Sequence, residues 1–430
     1  MKFKATAAGL MEGLRPAIEV ATRNAVKDFE FVDRVGISVK EDELNIFAWN
    51  GRMSIRSTLS DVTLDNLNME AMEDGKVVVD AKSLSKVLVC FKETDELVVK
   101  LSEKKKGKEL IFELASDSKQ YVTARCYDEE LVLPEPAKSY TKQLQIRRNL
   151  FLRGVAKVRF AIGFEQHREM YLYWVLRADP GKARFMAGTG QRFAIMDFEG
   201  KDIFKTPPSE GLVLRMPREQ TDVFTKVLAG SPDDYVSIRE SRGKEGFHAR
   251  IQTDVHDMIL LGINPDLKYI DEDAVLTAKY DNQFIVELSD WAYVGKSTIA
   301  TYDEQLKKER KPHRAVAEVD FENKEIIVQT NERMRSSRKA PIIDSRGPGD
   351  SIRFTAAASY ISEIAENADE DGYIQISHIG NKGSSGPKSK RPIFVQYYAA
   401  DKVSDKKLAR INDSIGATET YCIFFAQLQG

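Results

Sequence analysis

Apolar residues spaced three and four apart alternate along the chain with stretches in which every second residue is apolar, which predicts amphipathic helices set among half-buried strands. Leu10, Leu14, Ala17, Ile18, Ala21 and Ala25 form the first helical stripe. Phe151, Val155, Val158 and Ile162 form a second, and Phe284, Leu288 and Trp291 a looser third. Between these lie shorter helical faces: Leu84, Val87, Leu88 and Phe91; Val223, Phe224, Val227 and Leu228; Tyr360, Ile361, Ile364 and Ala365. Alternation predicts strands over residues 35–39 and 44–48, joined by the turn Lys40-Glu41-Asp42-Glu43. Hairpin turns are likewise expected at Ala178-Asp179-Pro180-Gly181 and Phe321-Glu322-Asn323-Lys324, where turn-forming residues separate apolar runs.

The pattern repeats. Asp95-Glu96-Leu97-Val98-Val99-Lys100-Leu101, Asp233-Asp234-Tyr235-Val236-Ser237-Ile238-Arg239 and Asp371-Gly372-Tyr373-Ile374-Gln375-Ile376-Ser377 share one layout, an acidic turn before an alternating strand, and each follows one of the short helical faces. A second recurrence aligns Asn50-Gly51-Arg52-Met53 with Gly190-Gln191-Arg192-Phe193 and Asn331-Glu332-Arg333-Met334. The interval is about 140 residues, the length of a domain rather than of a solenoid repeat. We therefore read three tandem copies of one α+β domain, spanning 1–137, 138–272 and 273–430, each with two helices packed on antiparallel sheets. The joints fall near Pro134-Glu135-Pro136-Ala137 and Tyr269-Ile270-Asp271-Glu272. Residues 304–314, 344–350 and 380–391 read as surface insertions of the third copy.

Of the 430 residues, 42% are hydrophobic and 30% charged, which excludes a disordered chain. No apolar run approaches the roughly 20 residues of a membrane span, and Met1-Lys2-Phe3-Lys4 precedes no hydrophobic stretch, so the expected location is the cytoplasm. Cys90, Cys126 and Cys422 are too few and too far apart for a disulfide framework or a zinc knuckle and are expected to be buried thiols.

Candidate chemistry is sparse. Gly380-Asn381-Lys382-Gly383-Ser384-Ser385-Gly386-Pro387-Lys388-Ser389 superficially resembles a phosphate-binding loop, but Pro387 stands where a glycine N–H is needed. Gly188-Thr189-Gly190 is too short for a dinucleotide fingerprint and reads as a turn. The histidines, His167, His248, His256, His313 and His378, lack metal-ligand spacing, and Asp254-Val255-His256-Asp257 reads as a solvated strand face. No nucleophile system stands out, so no enzyme, cofactor or metal site is expected.

The polar helix faces are more informative. Arg15, Arg23 and Lys27 lie on the first helix, Lys82 and Lys86 on the second, Arg148, Arg153 and Lys157 on the third, and Arg218 and Lys226 on the fourth. A net charge of −2 argues against a generally basic protein, but cations gathered on one face attract phosphates regardless of the average. The third copy departs from this, with Glu363 and Glu366 on its second helix and little beyond Lys296 on its first.

Three tandem α+β domains, the start Met1-Lys2-Phe3, the segment Gly75-Lys76-Val77-Val78-Val79-Asp80-Ala81-Lys82, the turn Gly188-Thr189-Gly190-Gln191-Arg192-Phe193-Ala194, Asn264-Pro265-Asp266 and an aliphatic-aromatic final strand together resemble the bacterial DNA polymerase III beta subunit, the sliding clamp. The resemblance covers essentially the whole chain. Its extra length and many departures resemble a divergent or phage-encoded member.

The resemblance implies a head-to-tail homodimer ring with helices inside, encircling duplex DNA without sequence preference. It implies DNA polymerase and a clamp loader as partners and no catalysis. In the family, partner peptides enter a pocket between the second and third domains. The matching positions are Gly188, Gly190, Gln191, Arg192, Phe193, Pro265, Tyr269, Ile270, Cys422, Ile423, Phe424, Phe425 and Leu428. Gln191 stands where the family commonly has His, Tyr269 where it has a basic residue, and Phe424-Phe425 where it has Met-Pro. Lys119-Gln120-Tyr121-Val122-Thr123-Ala124 resembles the family's edge strand at the subunit joint. The alternative function is a clamp-derived interaction or decoy protein that binds polymerase or loader peptides without a ring.

Overall fold

The computed structural model describes residues 1–23, 30–61, 63, 67–104, 107–163, 169–231, 233–243, 246–263, 269, 272, 276, 280–301, 313–331, 335–347, 352–368, 372–378, 392–399 and 419–426. It contains helices α1 (Ala7–Thr22), α2 (Ala81–Val87), α3 (Arg148–Val158), α4 (Arg218–Gly230), α5 (Leu288–Ala300) and α6 (Ala358–Glu366). Each begins directly after a strand: Lys2–Thr6, Gly75–Asp80, Lys142–Arg147, Leu212–Pro217, Asn282–Glu287 and Ile352–Ala357. The fold is α+β, with every described strand pair antiparallel. Two compact units emerge, one of Met1–Leu152, Ala178–Gly181 and Asp202–Leu267, the other of Arg153–Arg177, Lys182–Lys201 and Lys268–Gly430.

In the first unit a fourteen-stranded sheet runs from Phe204–Thr206 at one edge to Glu70–Glu73 at the other. The Thr6 hydroxyl starts α1 by accepting from the Gly9 N–H at 3.1 Å. Leu10, Leu14, Ala17, Ile18 and Ala21 are buried against the sheet. Gly13 lets α1 approach closely, since a Cβ there would lie 2.8 Å from Ile46 Cδ1. Its place in the helix is shared by Gly154 in α3, where a Cβ would strike the Phe185 ring, and by Gly295 in α5, where it would lie 3.0 Å from Ser362 Cα. A glycine at about the seventh residue is thus the packing contact of α1, α3 and α5 alike.

In the second unit, strand Arg192–Glu199 is followed across the sheet by Glu419–Ala426, Pro392–Ala399, Gly372–His378, Asn282–Glu287 and Arg335–Arg346. Trp291 and Ile361 are buried between α5 and α6, and the Trp291 indole N–H donates to the Ile361 carbonyl at 3.1 Å.

One kind of joint occurs twice. In the first unit Met53–Leu59 pairs with His256–Ile263, Ser54 facing Ile259. In the second, Arg192–Glu199 pairs with Glu419–Ala426, Phe193 facing Phe424. The equivalent strands left over are Asp117–Tyr127 and the first half of Arg335–Arg346. Tyr121 to Arg125 pair with Glu109 to Glu113 along one side, and Arg335 to Pro341 with Glu325 to Asn331. Among the described residues, neither segment has a strand on its other side.

Several expectations need correction. Phe284 belongs to strand Asn282–Glu287, because α5 starts only at Leu288, and Phe91 lies past the end of α2 at Val87. Cys90 is exposed and Cys126 half-buried, so only Cys422 is a buried thiol. His256 does not face solvent: it is 1% exposed and hydrogen-bonds Ser57 through Nδ1 at 2.9 Å, while Asp257 pairs with Arg250 at 2.6 Å. The turn repeat shifts by one residue. Asn50 Oδ1 accepts from the N–H groups of Arg52 and Met53, as Thr189 Oγ1 does from Gln191 and Arg192. Arg52 therefore corresponds to Gln191, and Arg192 to Met53. Ala25, residues 304–310, 348–350 and 380–391, and the Glu332-Arg333-Met334 turn lie outside the described residues.

Candidate functional site

The turn before strand Arg192–Glu199 gathers most of the expected peptide-site residues. Gly188 is buried at the end of strand Lys182–Gly188, opposite Phe193. Gly190 is exposed, and a Cβ on it would come 3.1 Å from the Tyr171 hydroxyl. Gln191 Oε1 accepts from the Tyr360 hydroxyl at 3.0 Å. Arg192 turns its guanidinium 2.5 Å from Glu363 Oε1, with the Phe160 and Tyr360 ring centroids 5.8 and 6.0 Å away. Those two charged side chains are only 16% and 21% exposed. Burial is the main influence on Glu363 and pushes its carboxyl above the usual range, against the opposing pull of Arg192.

Tyr269 donates its hydroxyl to the Tyr173 carbonyl at 3.0 Å and lies 6.5 Å from the Phe193 ring. Phe193, Cys422 and Ile423 are buried, so they shape this joint from within rather than line an open surface. Burial also raises the Cys422 thiol pKa and keeps it inert. The backbones of Phe424 and Phe425 pair with Phe193 and Arg192. Pro265, Ile270 and Leu428 lie outside the described residues. Phe160, Tyr171, Tyr173, Tyr360 and Glu363 complete the cluster without having been expected there. The only signal for the last two was their spacing of one helical turn, which puts them on one side of α6.

The basic residues divide by role. In the first unit Glu19 on α1 takes both Arg23, at 2.5 Å, and Lys226 on α4, at 3.1 Å. Lys82 pairs with Asp33 at 2.5 Å, which raises its pKa, and Arg15 lies 3.8 Å from Glu93. Lys86 is exposed in the last turn of α2, and Arg218 is half-exposed at the start of α4. Arg148 instead donates to the Leu228 and Ala229 carbonyls at 3.0 and 3.2 Å, closing the C-terminal end of α4. Lys27 lies outside the described residues.

In the second unit Arg153 is exposed on α3. Lys157 donates to the Asn367 carbonyl at 2.8 Å over the Tyr421 ring, and the Tyr421 hydroxyl donates to the Lys157 carbonyl. It is therefore a structural cation. The exposed pairs of the first unit are different, since solvent screening leaves each cation only weakly held by its carboxylate.

A groove of about 520 Å3 opens among α1, α2 and α4, with Met11, Ile18, Leu88, Val89, Val223 and Val227 as its apolar lining. Among the described residues, no His, Cys, Asp and Glu gather in threes as a metal would need, and no helix is long and apolar enough to cross a membrane.

No protein-family model matches the chain, and no curated protein matches it in sequence. Solved structures do match over 100% of its length. It is similar to the DNA polymerase sliding clamp from Bacillus subtilis, covering 99% of that chain at 12% identity with a TM-score of 0.76. For the DNA polymerase III beta subunit from Thermotoga maritima the values are 99%, 13% and 0.75. For the beta subunit from Pseudomonas aeruginosa they are 100%, 14% and 0.74. The turn, the paired strands and the six strand-to-helix steps described above are thus parts of one architecture: the chain has the fold of the bacterial DNA polymerase III beta subunits, the sliding clamps.

Proposed function

We propose that the chain is a DNA sliding clamp, a non-catalytic processivity factor of the cytoplasm. Three clamp domains, 1–137, 138–272 and 273–430, form a ring with those of a second copy. The ring encircles duplex DNA and tethers a polymerase and a clamp loader through peptides seated beside the Gly190 turn.

The observation that carries this reading is the unfinished third joint. Two equivalent strand pairings close within the chain, and among the described residues Tyr121 to Arg125 and Arg335 to Pro341, the segments for a third, each keep an open side. Such a head-to-tail set is completed by another copy, and a heterologous contact that closes by rotation makes a ring. The cations of α1, α2 and α4 support the same reading, because Arg15, Arg23, Lys82 and Lys226 are held by exposed, easily exchanged pairs. Exchangeable phosphate contacts carry no sequence information and permit sliding.

The test is topological. The protein is loaded on nicked circular DNA by a clamp loader and passed through a sizing column in high salt. Co-elution with circles, lost after a restriction cut, is the expected result. Release from circles and linear DNA alike, with polymerase or loader peptides still bound, would replace the clamp by the decoy reading.

A further inference from the structure

The open edges differ from the closed joints in charge. Within each copy the last strand can be placed by its hairpin. Leu101, Arg239 and Ser377 stand four residues into equivalent strands and face Leu110, Arg250 and Phe394, which face Ala124, Ile259 and Phe424. On the turn strand, Ser54, Phe193 and Ser336 face Trp49, Gly188 and Thr330 across the turn. Since Ile259 faces Ser54 and Phe424 faces Phe193, a third joint of the same kind puts Ala124 opposite Ser336 of a second copy. Antiparallel pairing then sets Arg125 against Arg335, Val122 against Arg338 and Tyr121 against Lys339.

The closed joints are apolar or charge-matched. Met53, Ile55, Met258 and Leu260 are buried in the first, where Arg56 faces Asp257. Ile195, Met196, Cys422 and Ile423 are buried in the second. The open edges read Lys119-Gln120-Tyr121-Val122-Thr123-Ala124-Arg125 and Arg335-Ser336-Ser337-Arg338-Lys339-Ala340-Pro341, with cations on both and no carboxylate on either. Of these residues only Ala124 and Ala340 are buried, and Tyr121 is 58% exposed. Neighbouring strands supply Glu109 opposite Arg125, Glu113 held by Lys100 at 2.5 Å, and Glu325 held by Lys339 at 2.6 Å. Arg338 lies 5.7 Å from the Tyr293 ring and donates to Ser297 Oγ.

We propose that a second copy of this chain docks on these edges in the derived register against a net repulsion of like charges, so that closure strengthens as anions screen the joint. Like charges directly opposite on paired strands destabilise the pair. The partner is fixed by the clamp reading, on which the proposal rests; the charge and the register come from this chain. Screening between exposed charges grows as the Debye length shrinks from about 14 Å near 50 mM salt to about 4 Å near 500 mM. Association of this chain should therefore run opposite to its attraction for DNA, which salt weakens.

The test is sedimentation of the full chain between 50 and 500 mM NaCl, with R125E, R335E and the double variant alongside. The expected result is a dimer dissociation constant that falls about tenfold as salt rises, and a tightening of similar size at low salt for either single variant. The double variant should again dissociate, because like charges then face each other once more. A cysteine pair, A124C with S336C in a C90S background, should form an intermolecular disulfide and report the register. Equal association at all salts with no gain from R125E overturns the charge inference and leaves the ring intact. No dimer and no disulfide at any salt overturns the ring itself.

Discussion

Replacing Arg192 by methionine removes the cation beside Glu363 while keeping an unbranched side chain against the Phe160 and Tyr360 rings. The carboxylate is about four-fifths buried and already pushed toward its neutral form by burial, with Arg192 as its main compensation. Stranding one partner of a buried pair costs roughly 3 to 5 kcal/mol, and partial exposure here brings the expectation for R192M to about 2 kcal/mol. E363Q behaves differently. It keeps an oxygen to accept from the guanidinium and relieves a carboxylate whose burial outweighs its attraction to Arg192, so its cost is under about 1 kcal/mol. The double variant R192M/E363Q recovers most of the R192M loss. The sign with pH follows, since a carboxyl with a raised folded pKa favours the folded state at low pH and loses that contribution as pH rises through the folded value. Losing Arg192 raises that value further, so the R192M deficit shrinks between pH 7 and pH 5. Urea unfolding midpoints of the four proteins at both pH values measure all of this. If E363Q is as damaging as R192M at pH 7, the argument that burial outweighs pairing is wrong.

Two further outcomes follow from groups in the first unit. Burial holds the His256 imidazole down to about 4, so it is neutral in the fold; its contribution is complete above about pH 6.5 and is lost as pH falls toward 4. At pH 5 the loss is about 2 kcal/mol, read from urea midpoints, and H256Q should flatten that pH dependence; an unchanged slope in H256Q would refute the assignment. E19Q frees both Arg23 and Lys226 from their shared carboxylate and should tighten binding to duplex DNA about two- to tenfold with a steeper salt dependence. Weaker binding, measured by fluorescence anisotropy, would mean that Glu19 positions those cations instead of competing for them.

The alternating and helical apolar patterns made the repeated elements legible because burial on one face is written at fixed spacing. The stripe of α1 and the faces of α4 and α6 needed nothing more. Phe284 fits a helix by its spacing of four residues from Leu288, whereas both of its neighbouring strands are far away in sequence. His256 was misread for a related reason: its partner Ser57 is 199 residues away, and nothing local reveals that the strand lies between two others. The turn repeat was visible but off by one, since Asn50 and Thr189 do the same hydrogen bonding with different side chains. The glycine shared by α1, α3 and α5 was equally visible and carried no meaning until the approach of Ile46, Phe185 and Ser362 supplied it. At the Gly190 turn the sequence located the backbone but not Glu363, whose charge looked like a flaw in a basic face and is instead the counterion of Arg192.

The three joints also rank themselves by physical chemistry. Removal of apolar surface from water is worth about 25 cal/mol per Å2, and the two joints inside the chain bury methionine, isoleucine and leucine side chains across their paired strands. The open edges offer less, the exposed Tyr121 and half-buried Val122 on one side only, and carry cations on both. On the clamp reading, a closed ring must part somewhere to admit DNA, and it parts at its weakest contact. On the register proposed above, that contact would be the intermolecular one, where each Arg125 would approach Arg335 of another copy. Substitutions at the two kinds of joint should therefore act on different quantities. R335V, which lowers the repulsion and adds β-branched surface, should lengthen the lifetime of the protein on circular DNA, whereas I55A at the closed first joint should lower stability by about 2 to 5 kcal/mol and leave the salt dependence of association untouched. A shorter lifetime for R335V would place the opening at some other joint.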